Sequence, residues 1–479
     1  MKLQRSETSR NAGSVLLVTL LLSIIIGVTL SSYLIMALTQ NRSVVRSQTW
    51  NSSIALTEAG VEDGLQEINK YAGTFELLTN WISTASSDNW SQLATNVYYV
   101  RRYLGEDYYD VYITNNIYTP TIYSTGTTMW HYNYASAAAK SMFAAIGTSP
   151  NATGLTNVSR AVVVHTKVDA LWNVAMAALL TIDFNGKNIA TDSFDSADAN
   201  YSNWSTNLGY GLYPTGNLNK TKANGDVVTD YTITNSLSVG NAKIKGQAKT
   251  GPTGTLGINN GSVGDRAWVE GGNTGVQPGH FADDMNVLFP SVTLPSTTWL
   301  PAVQVGNNGT PNQINGDTYD YIILTSGDYS IPGLTGSLYI GSNVTARIKC
   351  TGDVKLTGNS DQIHVASGAN VRFYMTSASF NLAGNGLVNE NGNASSFYYF
   401  GLPSNLSVGF NGNASFTGAI YAPQAAFTLG GGGNNTYDFV GASVTKSVKM
   451  NGHFNFHYDE NLARNGFGRG YIPTNWKES

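Results

Sequence analysis

The residues of this 479-residue chain whose types could do chemistry are few and far apart. His453 and His457, followed by Asp459, have the four-residue spacing that suits a metal on a helix. However, Asn451-Gly-His-Phe-Asn-Phe-His-Tyr458 alternates as a strand, and there the same spacing holds two rings ~13 Å apart. The pair cannot share an ion locally, so the reading is histidines on one strand face with Phe454 and Phe456 on the other. Asp192, Asp195 and Asp198 recur every third residue, whereas the ligands of an EF-hand loop fall on every second, and no glutamate follows at the right place. Asx turns closing a coil are the reading, with a calcium loop as the alternative. Gly430-Gly-Gly-Gly433 is followed by no Lys-Ser/Thr pair and reads as a bend. Cys350 is the single cysteine, which excludes an intrachain disulfide and a multi-thiol zinc or redox centre. It reads as a buried strand residue.

The elements around these residues are turn-dense β structure. Charged residues make up 12% of the chain, well under the usual quarter, while Gly (51), Asn, Ser and Thr are abundant. With 42% hydrophobic residues, the chain can bury a large core in two folded regions beyond any anchor. A net charge of −4 with scattered Lys and Arg provides no basic surface, so no nucleic-acid partner is expected. Carboxylates are sparse between 169 and 464, and no nucleophile elbow, zincin or P-loop pattern occurs. The expectation is no enzyme, no catalytic or metal residue and no cofactor. Asn-x-Ser/Thr sequons such as Asn343-Val-Thr follow from composition.

One stretch stands apart. Val15 to Leu38 is uncharged and apolar, and as a helix it spans ~36 Å, enough to cross a ~30 Å hydrocarbon core. Its fifteen Leu, Ile and Val favour insertion by roughly 5–8 kcal/mol. Lys2, Arg5 and Arg10 precede it, which keeps the N-terminus cytoplasmic and the bulk of the chain outside the inner membrane; Arg42 and Arg46 on the far side weaken that bias slightly. The helix is expected to continue through residue 71, because no proline follows and Trp50, Ile54, Val61, Leu65 and Ile68 repeat at helical spacing. That makes residues 14–71 one helix, with a transmembrane half at 15–38 and an amphipathic half beyond it.

A basic leader (1–13) ending in Gly13, then a small residue and a continuous apolar helix, resembles the leader of type IV pilins and type II secretion pseudopilins. Gly13-Ser-Val-Leu-Leu-Val18 and Leu56-Thr-Glu-Ala-Gly-Val-Glu-Asp-Gly-Leu65 are most similar to PilX-type minor pilins and K-type pseudopilins. The resemblance implies cleavage by a prepilin peptidase between Gly13 and Ser14, and an assembly helix that carries Glu58 and Glu62. Major pilins of this class have glutamate five residues into the mature chain, where Val18 stands here. The implied role is therefore a low-copy or tip subunit, in place of a bulk shaft subunit.

From Val97 to Thr128, aromatic and β-branched residues alternate with polar ones, as in hairpin-linked strands. The succession Tyr109-x-Val-x-Ile113, Ile122-x-Ser-x-Gly126 and Arg160-x-Val-x-Val164 is similar to the sheet of PilX-like proteins. The α+β reading is thus a long helix packed on an antiparallel sheet at 72–168. The tyrosines also invite a sugar-stacking reading. From 169 to 466 short strands alternate with Gly, Asn and Asp, and Phe416-Thr-Gly-Ala returns as Phe439-Val-Gly-Ala. A period of 20–25 residues suggests a β-solenoid, with a β-sandwich as the alternative fold. Asp192 to Asp198 and segments of the ending from Gly418 to Glu478 also resemble an uncharacterised β-helix-like domain that follows PilX-type N-termini, and residues 467–479 read as a tail. The expected function is a filament subunit displaying a large extracellular β domain, with other pilin or pseudopilin subunits, the peptidase and inner-membrane lipid as partners. The alternative is a membrane-tethered adhesin or glycan-binding protein on the cell surface.

Overall fold

A computed structural model of the protein describes residues 11–114, 116, 118–130, 156–186, 188–302, 313–411, 415–431, 437–464 and 467–478. Lys2, Arg5 and Arg10, most of the 129–158 loop, and Gly432 and Gly433 lie outside the described residues. One unbroken helix, α1 (Asn11–Ile68), joins the apolar and amphipathic stretches. Its first half is bare: Leu16 is 72% exposed and Ile26 61%. Three hydroxyls along it are turned back onto the helix, Thr19 Oγ1 donating to Leu16 O at 3.0 Å, Ser23 Oγ to Thr19 O at 2.8 Å and Thr29 Oγ1 to Ile25 O at 2.9 Å. Bonded in this way they present no unpaired donor to a hydrocarbon surrounding. Among the described residues, this is one helix long and apolar enough to cross a membrane.

The second half of α1 lies on an antiparallel sheet. Strands β1 (Ser91–Ala94), β2 (Val97–Leu104), β3 (Asp107–Thr114), β4 (Thr121–Trp130) and β5 (Thr156–Ala170) follow in order, and strand Gly468–Glu478 closes the far edge against β5. The residues read as a C-terminal tail, 467–479, therefore supply a sixth strand. This region is completed by chain from both ends of the sequence, because Gly468–Glu478 covers the backbone groups that β5 would otherwise leave open. Val111, Ile113, Ile122 and Val164 are fully buried under Val61 and Ile68. Close approach depends on glycine: a Cβ on Gly60 would sit 2.3 Å from Ser124 Oγ, and one on Gly126 would sit 2.5 Å from Thr57 N. Into that contact Ser124 Oγ donates to Thr57 O at 2.7 Å, and Gly126 N donates to Thr57 Oγ1 at 3.1 Å.

The second region is mostly β, and its three-strand rungs pair in parallel. Met176–Ala178, Ile182–Phe184 and Ala190–Phe194 form the first rung in sequence. On one side it pairs with Val227–Thr229, Leu237–Gly240 and Lys243–Lys245, and these pair with Ala248–Lys249, Leu256–Ile258 and Ser262–Gly264. On the other side it meets Tyr437–Met450 and Phe454–Asp459, the last rung in sequence. From there the stack runs back through Phe416–Leu429, Phe397–Gly401, Asn370–Met375 and Thr345–Cys350 to Gly327–Ile331. The chain thus enters mid-stack, builds to one end, crosses to the other end and winds back to where it began. The repeated motif is stacked in register, Phe416 on Phe439, Gly418 on Gly441 and Ala419 on Ala442. Its rings continue as a ladder, with centroids 4.6 Å apart from Phe416 to Phe439 and 4.3 Å apart from Phe439 to Phe456. Cys350 is fully buried in this core, as read from sequence.

Candidate functional site

The positions singled out for assembly all fall on α1, on different faces. Gly13 and Ser14 lie in its first turns, and Val18 is 55% exposed. Glu58 and Glu62, one turn apart, are exposed, while Thr57, Gly60, Val61 and Gly64 on either side of and between them are buried against the sheet. The Thr-Glu-Ala-Gly segment therefore presents two sides at helical phase, one buried and one exposed. Its small residues dock the sheet, and Glu58 and the following Glu62 lie on the exposed side of the helix.

Neighbouring acids behave differently, and sequence reading missed them. Asp63 Oδ2 accepts from Arg102 Nε at 3.1 Å. Glu67 is 6% exposed, and its Oε1 has no hydrogen-bond partner among the described residues. Burial, with Asp88 next, pushes its carboxyl up to about 7.

The helix end is tied to the second region by two adjacent residues. Phe75 adopts φ 56°, a strained backbone for an aromatic residue, and inserts beside Phe400 and Tyr421 at 5.8 and 5.3 Å between centroids. Glu76 accepts from Arg347 at 2.8 Å through Oε1 and from Arg372 at 2.7 Å through Oε2. Nearby, the fully buried Trp172 donates Nε1 to Ile420 O at 2.8 Å and stacks on Tyr398. Arg469, on the returning strand, makes a two-point pair with Asp169 at 2.8 and 2.7 Å. The helix, the sheet and the rung stack are therefore held together by charge pairs and aromatic burial. No local signal marks Glu76, because its partners lie 271 and 296 residues away.

Of the two histidines, only His457 is on strand Phe454–Asp459, with Phe454 and Phe456 in the core as expected and Tyr458 beside them; His453 precedes the strand, so the two do not share a strand face. The face of His457 is covered. Nδ1 lies 2.6 Å from Asp192, Nε2 lies 3.4 Å from Asp438, and Tyr213 stacks on the ring at 3.6 Å. The contact joins the last rung to the first. Asp195 and Asp198 do not join Asp192: they accept from Ala197 N at 3.0 Å and Asn200 N at 2.8 Å, forming Asx turns. Among the described residues, no group of three or more His, Cys, Asp or Glu is arranged to hold a metal.

Burial pulls His457 down, but hydrogen bonds and charge from Asp192 and Asp438 outweigh it and hold the imidazole above its ordinary value. The stabilisation from this raised group is complete below the unfolded value of ~6.5 and is lost as pH rises through the folded value. The stability difference between the parent protein and His457→Gln is therefore expected to shrink as urea titrations move from about pH 6.5 to more alkaline buffer. A difference that grows over that range would overturn the charged-imidazole assignment.

Residues 305–465 match a protein family described as a domain of unknown function, DUF7305. That span holds the rungs from Gly327 to Asp459 and omits those from 176 to 282. No curated protein matches the chain. Among solved structures, the competence-associated pilin ComZ from Thermus thermophilus is similar at 10% identity, over 90% of this chain and 97% of that one, with a TM-score of 0.21. A likeness of that size carries no argument about function.

Proposed function

We propose that this protein is a low-copy structural subunit of a filament of the type IV pilus or type II secretion kind, with no catalytic role. The observation that supports this most is the division of α1: an apolar half that is wholly bare, continuous with a half locked to a sheet through Gly60, Gly126 and Thr57. A bare apolar helix needs lipid before assembly and other apolar helices after it. The basic residues before it favour a cytoplasmic N-terminus, and Gly13-Ser14 is the expected cut by a prepilin peptidase. Val18 removes the carboxylate that would dock a shaft subunit, and the size of the head disfavours dense packing. The parallel pairing of neighbouring rungs supports reading the second region as a β-solenoid, and a cytoplasmic N-terminus puts that region on the far side of the membrane.

Mass spectrometry of the mature protein from its native membrane tests this. A chain beginning at Ser14 is expected, and an intact Met1 would sink the proposal.

A further inference from the structure

At the end of α1 a cleft of about 680 Å³ opens between the helix, the turn Ala85–Asp88 and β2. Its charged lining is Asp63, Glu67 and Lys70 from the helix end, Asp88 from the turn and Arg102 from β2. Two charge pairs cross it. Lys70 pairs with Asp88, and Arg102 donates Nε to Asp63 Oδ2 at 3.1 Å and Nη2 to Asp88 O at 3.3 Å. Tyr109, on β3, adds its hydroxyl to Asp63 at 3.4 Å. Both cations are thereby committed.

Glu67 stands between these pairs with no partner of its own. Its side chain is buried and makes no hydrogen bond or ion pair among the described residues. With Asp63 and Asp88 already matched to the two cations, an ionised Glu67 is a surplus negative charge. It also lies in the last turn of α1, where the free carbonyls of the helix end add negative potential. A protonated carboxyl is tolerated there, but a carboxylate has to take a cation from a pair already made. Lys70 is the nearest in the chain, one turn along. Taking it leaves Asp88 bare, and Asp88 is where the turn is tied to the helix. Under that turn Ala85 and Trp90 are buried, with Trp90 N donating to Ala85 O at 3.0 Å.

We infer that Glu67 is a proton-operated latch: protonated, it leaves Lys70 on Asp88 and the turn Ala85–Asp88 held to α1, and ionised, it draws Lys70 away and releases the turn. Phe75 and Glu76, the ties to the rung stack, follow soon after, which places the latch near the joint between the two regions. It operates whether or not the chain enters a filament.

Burial first, then Asp88, holds the Glu67 carboxyl at about 7 when the turn is closed, against ~4.3 for a free glutamate. The closed form therefore binds the proton more tightly than the open one. Closure is favoured fully below ~4.3, weakens by up to about tenfold per pH unit as pH rises towards 7, and stays weak above it.

Hydrogen–deuterium exchange of the full chain in detergent, corrected for the chemical exchange rate at each pH, tests this. Between about pH 5.5 and pH 8, the protection of amides 85–90 is expected to fall at least ~10-fold in the parent protein and to stay level in Glu67→Gln, which keeps the uncharged shape. Asp88→Asn, which removes the tie itself, is expected to leave the turn unprotected at both pH values. Segment 416–429 is the reference and is expected to hold its protection throughout. Equal protection of 85–90 at both pH values in the parent, the same fall in Glu67→Gln, a protected turn in Asp88→Asn, or a matching fall in segment 416–429 would each overturn the inference.

Discussion

Deletion of residues 468–479 is expected to cost ~5–10 kcal/mol, a large share of the stability of a folded domain. The lost strand pairs with β5 from Gly468 to Glu478 and buries Tyr471. It also holds the end of α1, since Asn69 bonds both Tyr471 N, at 2.5 Å, and Tyr471 O, at 3.1 Å. Removing it leaves a bare β5 edge, an unpaired Asn69 amide, and Asp169 without the Arg469 guanidinium. Each lost hydrogen bond is worth ~1 kcal/mol net, and an orphaned buried group costs more. The rungs from Gly327 to Asp459 keep their neighbours. Limited proteolysis should therefore cut first between residues 90 and 130, with the later rungs protected, and exposed β5 edges should promote aggregation. Urea unfolding that matches the full-length protein would mean that the strand is an appendage.

A single methyl group should do comparable harm at Gly441. This residue sits at φ 138°, and a Cβ there would fall 1.8 Å from Gly418 O, the backbone of the rung stacked on it. Backbone cannot rotate away as a side chain can, so Gly441→Ala must open the ladder between Phe416 and Phe439 or force the rung out of register. With the strained φ worth ~1–3 kcal/mol by itself, a total loss of at least ~3 kcal/mol is expected. Gly257→Ala is the matched control, since its nearest neighbour would be 3.5 Å away. Equal thermal midpoints for the two variants would show that this part of the stack has slack.

That glycine also indicates what could be read in advance. The Phe-x-Gly-Ala repeat is visible in the sequence because stacked rungs put like residues on like, and the structure pairs the two copies residue for residue. The long helix, the alternating strands of the N-terminal sheet and the strand character around His457 were legible for a related reason: local periodicity decides which face is apolar. The faces of Glu58 and Gly60 follow from helical phase once the sheet is placed.

The order of stacking was not legible. Parallel rungs offer similar edges to one another, and only long-range fit decides that 176–194 lies between 227–245, the next rung in sequence, and 437–459, the last. The pairing of His457 with Asp192 across 265 residues follows from that choice. The bridge from Glu76 to Arg347 and Arg372, and the return of the C-terminal strand to β5, have the same origin. By itself, the sequence determined the bare apolar helix, the kinds of strand and the short repeat, because each depends on neighbours a few residues away. The tertiary structure decided which rung lies mid-stack and which ends of the chain meet, because those depend on backbone registers and charge pairs between segments hundreds of residues apart.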